Sequence, residues 1–144
     1  MEIEGTRGNG HPHRHRVKVR FHQCDHAGHT NNVAYMAFLE AAREELLYEV
    51  GMLEPSTELA RLRFTTARVW IDYLAETYFG DVLDVLTRVS RTGNRSFELE
   101  HVIVRDGDEK TVAKGGCVLV CFDYASRKAV PLTDKDRSGL RKFM

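Results

Sequence analysis

The clearest pattern in the chain lies between Asn31 and Gly51, "NNVAYMAFLEAAREELLYEVG", where Tyr35, Phe38, Leu39, Ala42, Leu46 and Val50 recur at helical spacing. Val33, Met36 and Leu47 widen the stripe, so the spacing predicts a central helix of about 28 Å, covered on more than one side. Asn31 or Asn32 can cap it, because a short amide side chain accepts from the unpaired N–H groups of the first turn. Gly51 supplies the stop. On both sides the period drops to two. Val17, Val19 and Phe21 alternate with Lys18, Arg20 and His22 as in a half-exposed strand. Residues 61–74, 80–91, 96–106 and 110–124 are rich in Val, Phe, Thr, Leu and Tyr and read as long strands. "TGNR" at 92–95 and "DGDE" at 106–109 carry hairpin chemistry. Gly115-Gly116 predicts a bulge or bend, and the segment after Pro131 a short helix or tail.

Strand, helix, then four antiparallel strands is an α+β order: one curved antiparallel sheet around one long helix. Such a sheet keeps open edges, which predicts pairing with a second copy. Length is consistent with one domain over 14–144 behind a flexible, glycine-rich tail at 1–13. Within that tail "HPHRHR" reads as solvated rather than as a metal motif, since no other ligand spacing supports it.

Charge narrows the partners. Lys+Arg and Asp+Glu balance at 21 each, so no net field recruits nucleic acid or an anionic membrane. Three cysteines do not make an even disulfide framework, no apolar leader is present, and no run is long enough to span a bilayer. The expectation is a cytoplasmic protein.

Candidate chemistry concentrates in "FHQCDHAGHTNN", residues 21–32. His22, Cys24 and His26 invite a zinc reading, but alternate side chains of an extended chain sit about 6–7 Å apart, too far to close on one ion without a sharp turn. A nucleophilic Cys24 needs a base and a cation or helix end beside it, which i±2 histidines do not supply. Asp25 is the third candidate. It precedes Gly28 and the asparagines that open the helix, whose unpaired N–H groups can hold a developing oxyanion. A carboxylate there can activate water or attack a carbonyl, or can simply satisfy loop donors. Residue chemistry alone leaves both open.

"RFHQCDHAGHTNNVAYMAFLEAAR" resembles the signature of the 4-hydroxybenzoyl-CoA thioesterase-like branch of the hotdog-fold family, with Asp25, Gly28, His29, Asn31, Asn32, Tyr35, Glu40 and Arg43 at its positions. The resemblance implies the hotdog fold, hydrolysis of an acyl-CoA thioester and a homodimer or homotetramer with active sites between subunits. It implies Asp25 as general base or nucleophile and the Asn32 backbone amide as the donor that polarises the carbonyl. It also implies Gly28 as the turn toward substrate, with His29 and Asn31 orienting water or bracing the loop. Relatives often carry a second acid where this chain has Gln23. No cofactor or metal is implied; coenzyme A belongs to the substrate. Its phosphates call for a local basic patch, for which Arg91 and Arg95, with Arg88, Arg127 and Lys128, are candidates. Tyr35, Phe38 and Phe64 are expected to line an acyl tunnel. A non-catalytic acyl-thioester binding protein and an enoyl-thioester hydratase are the alternatives.

Overall fold

The structure, a computed structural model, describes residues 12–54 and 62–144. Its main elements are β1 (His13–Lys18), α1 (Asn32–Glu49), β2 (Phe64–Tyr73), β3 (Val82–Thr92), β4 (Ser96–Arg105), β5 (Thr111–Asp123), β6 (Lys128–Ala129) and α2 (Asp134–Leu140). All pairing is antiparallel in the order β1-β3-β4-β5-β2, with β6 added to the end of β5. The two hairpins predicted at 92–95 and 106–109 join β3 to β4 and β4 to β5. Strand β2 instead crosses to the far edge beside β5, so β1 and β2 are the two edges.

Helix α1 lies on one face of this sheet. Tyr35, Phe38, Leu39, Ala42, Leu46 and Val50, the six residues of the predicted stripe, are all buried, and so is Leu47. Val33 and Met36 are not: they lie off the buried stripe, 72% and 37% exposed among the described residues. The core divides along the helix. Ala34 to Ala42 pack with Val19, Leu83, Val85, Ile103, Val112 and Ala113. Leu46 to Met52 pack with Val89, Phe97, Leu99, Cys117 and Leu119, closed by Leu132 and Leu140 of the C-terminal segment. No described helix is long and apolar enough to cross a membrane.

Three expectations need correction. Residues 1–11 of the expected tail lie outside the described residues, but "HRHR" at 13–16 is strand rather than solvated tail. His13 and His15 face α1, where His15 Nδ1 is 2.8 Å from Glu45 Oε2 and His13 Nε2 is 3.3 Å from Glu49 Oε2. Arg14 and Arg16 face the other way, onto Asp84 at 2.8 and 2.9 Å. The Arg16 and Arg14 guanidiniums hold that carboxyl down at about 2. The polar run at 13–16 is held as strand because one face meets the Glu45 and Glu49 carboxylates and the other Asp84. At its other end the strand stops at Lys18, and Phe21, expected inside it, lies in a 3-10 turn at 80% exposure.

The third correction concerns Gly115-Gly116. Pairing runs through both glycines without a shift, and the irregularities fall elsewhere, between Thr66 and Arg68, Val89 and Arg91, and Ile103 and Val104. The glycines serve a close approach instead: a Cβ on Gly115 would strike the Trp70 backbone, and one on Gly116 the Trp70 ring and the Leu99 carbonyl.

Candidate active site

The 3-10 turn Phe21–Gln23 and the loop after it deliver the chain from β1 to the start of α1. The Gln23 side chain accepts from the Arg20 backbone N–H at 2.8 Å, and its carbonyl accepts from the Asn31 N–H at 2.8 Å. Gln23 therefore braces the turn.

Asp25 is exposed. Its Oδ1 accepts from the N–H groups of Ala27 at 2.9 Å and His29 at 3.3 Å, and its backbone N–H donates to the His29 carbonyl at 2.9 Å. These bonds close a tight loop around one carboxylate oxygen. Oδ2 has no hydrogen bond among the described residues. Gly28 makes the loop possible: it donates to the Asp25 carbonyl at 3.0 Å from a φ of +85°, a region side-chain-bearing residues avoid.

Asn31 is the N-cap of α1; its side chain accepts from the Ala34 N–H at 2.8 Å, which fixes where the helix begins. The amides of Asn32 and Val33 fall in the first turn, where a helix provides them no acceptor. The loop thus holds the Asp25 carboxylate by one oxygen, in the segment that leads into the first turn of α1.

The connection from β2 to β3 wraps this loop from outside, and nothing in its sequence singled it out. Thr30 N–H donates to the Thr77 carbonyl at 2.9 Å, and His29 bridges Tyr78. His29 Nε2 lies 3.2 Å from Glu76 Oε2, with its ring edge-on to Tyr78 at 5.3 Å. Glu76 also accepts from the Tyr78 hydroxyl at 2.8 Å and pushes that phenol's pKa up. Phe21, Tyr73, Leu74, Tyr78 and Phe79 leave an exposed apolar rim here.

The residues expected to line an acyl tunnel are not brought together. Tyr35 and Phe38 are 4% exposed, packed edge-to-face in the core, and burial pushes the Tyr35 phenol up. Phe64 belongs to a separate cavity of about 590 Å³ beside the C-terminal half of α1, shared with Arg43, Leu47, Tyr48, Leu119 and Tyr124. Arg91 and Arg95 are exposed around the β3–β4 hairpin, where Arg137 also donates to the Gly93 carbonyl at 3.0 Å. A second cavity of about 380 Å³ opens there, lined by Thr92, Arg137, Arg141 and Met144. Asp25 sits by the opposite end of β3, which spans roughly 30 Å. Of the other basic candidates, Arg88 is paired to Glu100 at 2.9 Å and Arg127 stacks over Phe122.

His22 and His26 are exposed, and the Cys24 thiol, half-buried, lies 3.7 Å from the Arg20 carbonyl. No three His, Cys, Asp or Glu side chains among the described residues gather in a way that could hold a metal ion.

Known proteins match this chain over most of its length. The model of the thioesterase-like superfamily matches residues 19–138. The long-chain acyl-CoA thioesterase FadM of Escherichia coli is 27% identical over 128 residues, 89% of this chain and 96% of its own. A thioesterase from Thermus thermophilus solved with coenzyme A and zinc is 30% identical, with a TM-score of 0.79 over 93% of this chain and 95% of its own. A predicted thioesterase from Bacillus stearothermophilus is 28% identical, with a TM-score of 0.82 over 91% and 95%. The chain belongs to the thioesterase-like superfamily, and its antiparallel sheet packed on α1 is the hotdog fold of that family.

Proposed function

We propose that the protein hydrolyses acyl-CoA thioesters, with Asp25 delivering the attacking oxygen and the Asn32 amide accepting the charge that develops on the carbonyl. The observation that carries this reading is the Asp25 carboxylate itself: one oxygen is tied to two loop amides, and the other is unengaged at the start of α1. In the reaction a C–O bond forms to the thioester carbon, through Asp25 or through a water it deprotonates. The C–S bond then breaks and the thiolate leaves as free coenzyme A thiol after protonation; where Asp25 itself attacks, a water then hydrolyses the mixed anhydride, releasing the acid and restoring the carboxylate. A thiolate is already a good leaving group, so an oxyanion donor and an activated oxygen suffice.

The length of β3, roughly 30 Å from Val82 to the Arg91–Arg95 hairpin, supports a homodimer, alone or as half of a tetramer, in which each Asp25 works with the hairpin of the neighbouring copy. The open β2 edge and the exposed Val33, Met36, Phe21 and Phe79 favour such a partner. Three unpaired cysteines, two of them buried, favour a reducing, cytoplasmic setting.

The test follows thiol release from a panel of acyl-CoAs of different chain length and from an aromatic acyl-CoA. The wild type releases thiol from at least one of them, and Asp25→Asn lowers kcat at least about a hundredfold with an unchanged melting temperature. Equal rates in the two proteins would remove Asp25 from the chemistry. Binding without thiol release from any member would make the protein a carrier of acyl thioesters rather than a hydrolase.

A further inference from the structure

We infer that Thr77 is the positioning residue of the site, its hydroxyl being the hub that sets the Asp25 loop against the first turn of α1. This rests on the Asp25 reading above. The bonds inside the loop fix its shape, because they run from Asp25 to Ala27, Gly28 and His29, but they do not fix its placement on the helix. Placement comes from the backbone bond of Asn31 to the Gln23 carbonyl and the His29–Tyr78 bridge, and, through buried side chains, from Thr30 and what holds it.

Thr30 donates its N–H to the Thr77 carbonyl at 2.9 Å and receives the Thr77 hydroxyl on Oγ1 at 2.6 Å. The Tyr35 hydroxyl lies 2.6 Å from the same Thr77 Oγ1. Thr77 has a single hydroxyl proton, and Thr30 takes it, so Tyr35 is the donor at the other side. The chain runs Tyr35 to Thr77 to Thr30 in one direction. Tyr35 belongs to α1, one turn after Asn32, so the chain closes a ring: loop end, hydroxyl hub, helix, Asn32 amide. All three members are buried, Thr77 completely, Tyr35 at 4% and Thr30 at 8% exposure. Hydrogen bonds in such a setting are directional and costly to leave unmade, so the angle between loop and helix is held to one value. Attack on a carbonyl polarised from a second direction needs that value, since small misplacements of reacting groups cost large factors in rate.

The two outer contacts of the connection do not have this property. Glu76 is 60% exposed where it meets His29, and Tyr78 is 45% exposed. Thr77 alone reaches both the loop and α1 through a side chain sealed from water.

The test compares Thr77→Val, which keeps the shape and removes the hydroxyl, with Thr77→Ser, which keeps the hydroxyl. Rates are normalised to folded protein, and kcat is separated from KM. Thr77→Val lowers kcat about tenfold or more with KM within about threefold of wild type, and Thr77→Ser restores most of the rate. Tyr35→Phe breaks the chain at its other end and gives a kcat loss of the same size. The double variant Tyr35→Phe, Thr77→Val loses no more than the worse single variant, because both interrupt one chain. If Thr77→Val does not fold, Tyr35→Phe is read in its place. The inference is overturned by an unchanged kcat in the hydroxyl-free variant, by a loss equal in Thr77→Ser, or by losses that multiply in the double variant. Should Asp25→Asn also leave hydrolysis unchanged, the Asp25 reading is what fails. Should Asp25→Asn abolish it while Thr77→Val is silent, the positioning role alone fails.

Discussion

The two ends of α1 are built from the same helix and do opposite things. At its N-terminal end the chain is exposed and polar: a loop held by backbone amides, a carboxylate with one unengaged oxygen, and helix donors without acceptors. At its C-terminal end the helix sinks into a core of Leu46, Leu47 and Val50 against Val89, Phe97 and Leu119, beside the larger cavity and on the same side as the arginine-bearing hairpin. The Asp25 loop lies at one end; the larger of the two cavities described above and the arginine-bearing hairpin lie toward the other. The eighteen residues of α1, about 27 Å, keep the two halves apart within one chain.

The comparison breaks or stands on a mixing experiment, where the largest effect is expected. Asp25→Asn is inactive, and Arg91→Glu with Arg95→Glu raises KM for an acyl-CoA about tenfold or more, with little effect on an acyl-N-acetylcysteamine that lacks the nucleotide. Mixed and allowed to exchange subunits, the two variants pair an intact Asp25 on one chain with intact arginines on the other. Activity on acyl-CoA below KM then exceeds the sum of the separate variants severalfold. Simple additivity would mean that the two ends do not serve one site across subunits.

Asn31 sharpens the contrast from the other side. Its side chain caps α1, so Asn31→Ala costs about 1 kcal/mol of stability. At the buried end a loss of that size would leave chemistry alone. Here the cap also fixes the amides of Asn32 and Val33, so kcat falls by more than the folded fraction does, while Asn31→Asp keeps both stability and rate within about twofold. Chemical denaturation and single-turnover thiol release on the same samples separate the two losses. A rate that tracks the folded fraction alone would leave the Asn32 amide outside the chemistry.

The legible parts of the molecule are those decided by local pattern. The stripe on α1 was readable because burial follows helical spacing, and the hairpins because Gly-containing turns have few alternatives. The loop's turn and the helix cap were readable because Asp25, Gly28 and Asn31 bond to or bend their own backbone neighbours. What stayed hidden depends on partners distant in sequence. His13 and His15 look solvated until Glu45 and Glu49 are set opposite them, and Arg14 and Arg16 until Asp84 is. Thr77 carries no motif; only the fold puts its hydroxyl between Thr30 and Tyr35. Tyr35 looked like tunnel lining because an aromatic on an apolar stripe says nothing about where its hydroxyl goes.

His101 gives the smallest effect and a control drawn from the sealed middle of the sheet. It is 1% exposed in β4; its Nδ1 pairs with the Thr87 hydroxyl at 2.7 Å, and its Nε2 has no partner among the described residues. Burial, with the positive charge of Arg43 nearby, lowers its pKa from 6.5 to about 3, so it is neutral in the folded protein. The unfolded chain takes up a proton near pH 6.5 and the folded one does not, so the contribution to stability is complete above that pH. It is lost as pH falls from about 6.5 toward 3, by up to about 1.4 kcal/mol per pH unit. Burial depresses His13 in the same direction, whereas Asp84, held at about 2, acts only at lower pH. Urea midpoints between pH 7.5 and pH 5 therefore decline more steeply for the wild type than for His101→Gln, whatever the variant loses at neutral pH. Parallel declines would mean that His101 takes up its proton in the fold as readily as in the unfolded chain.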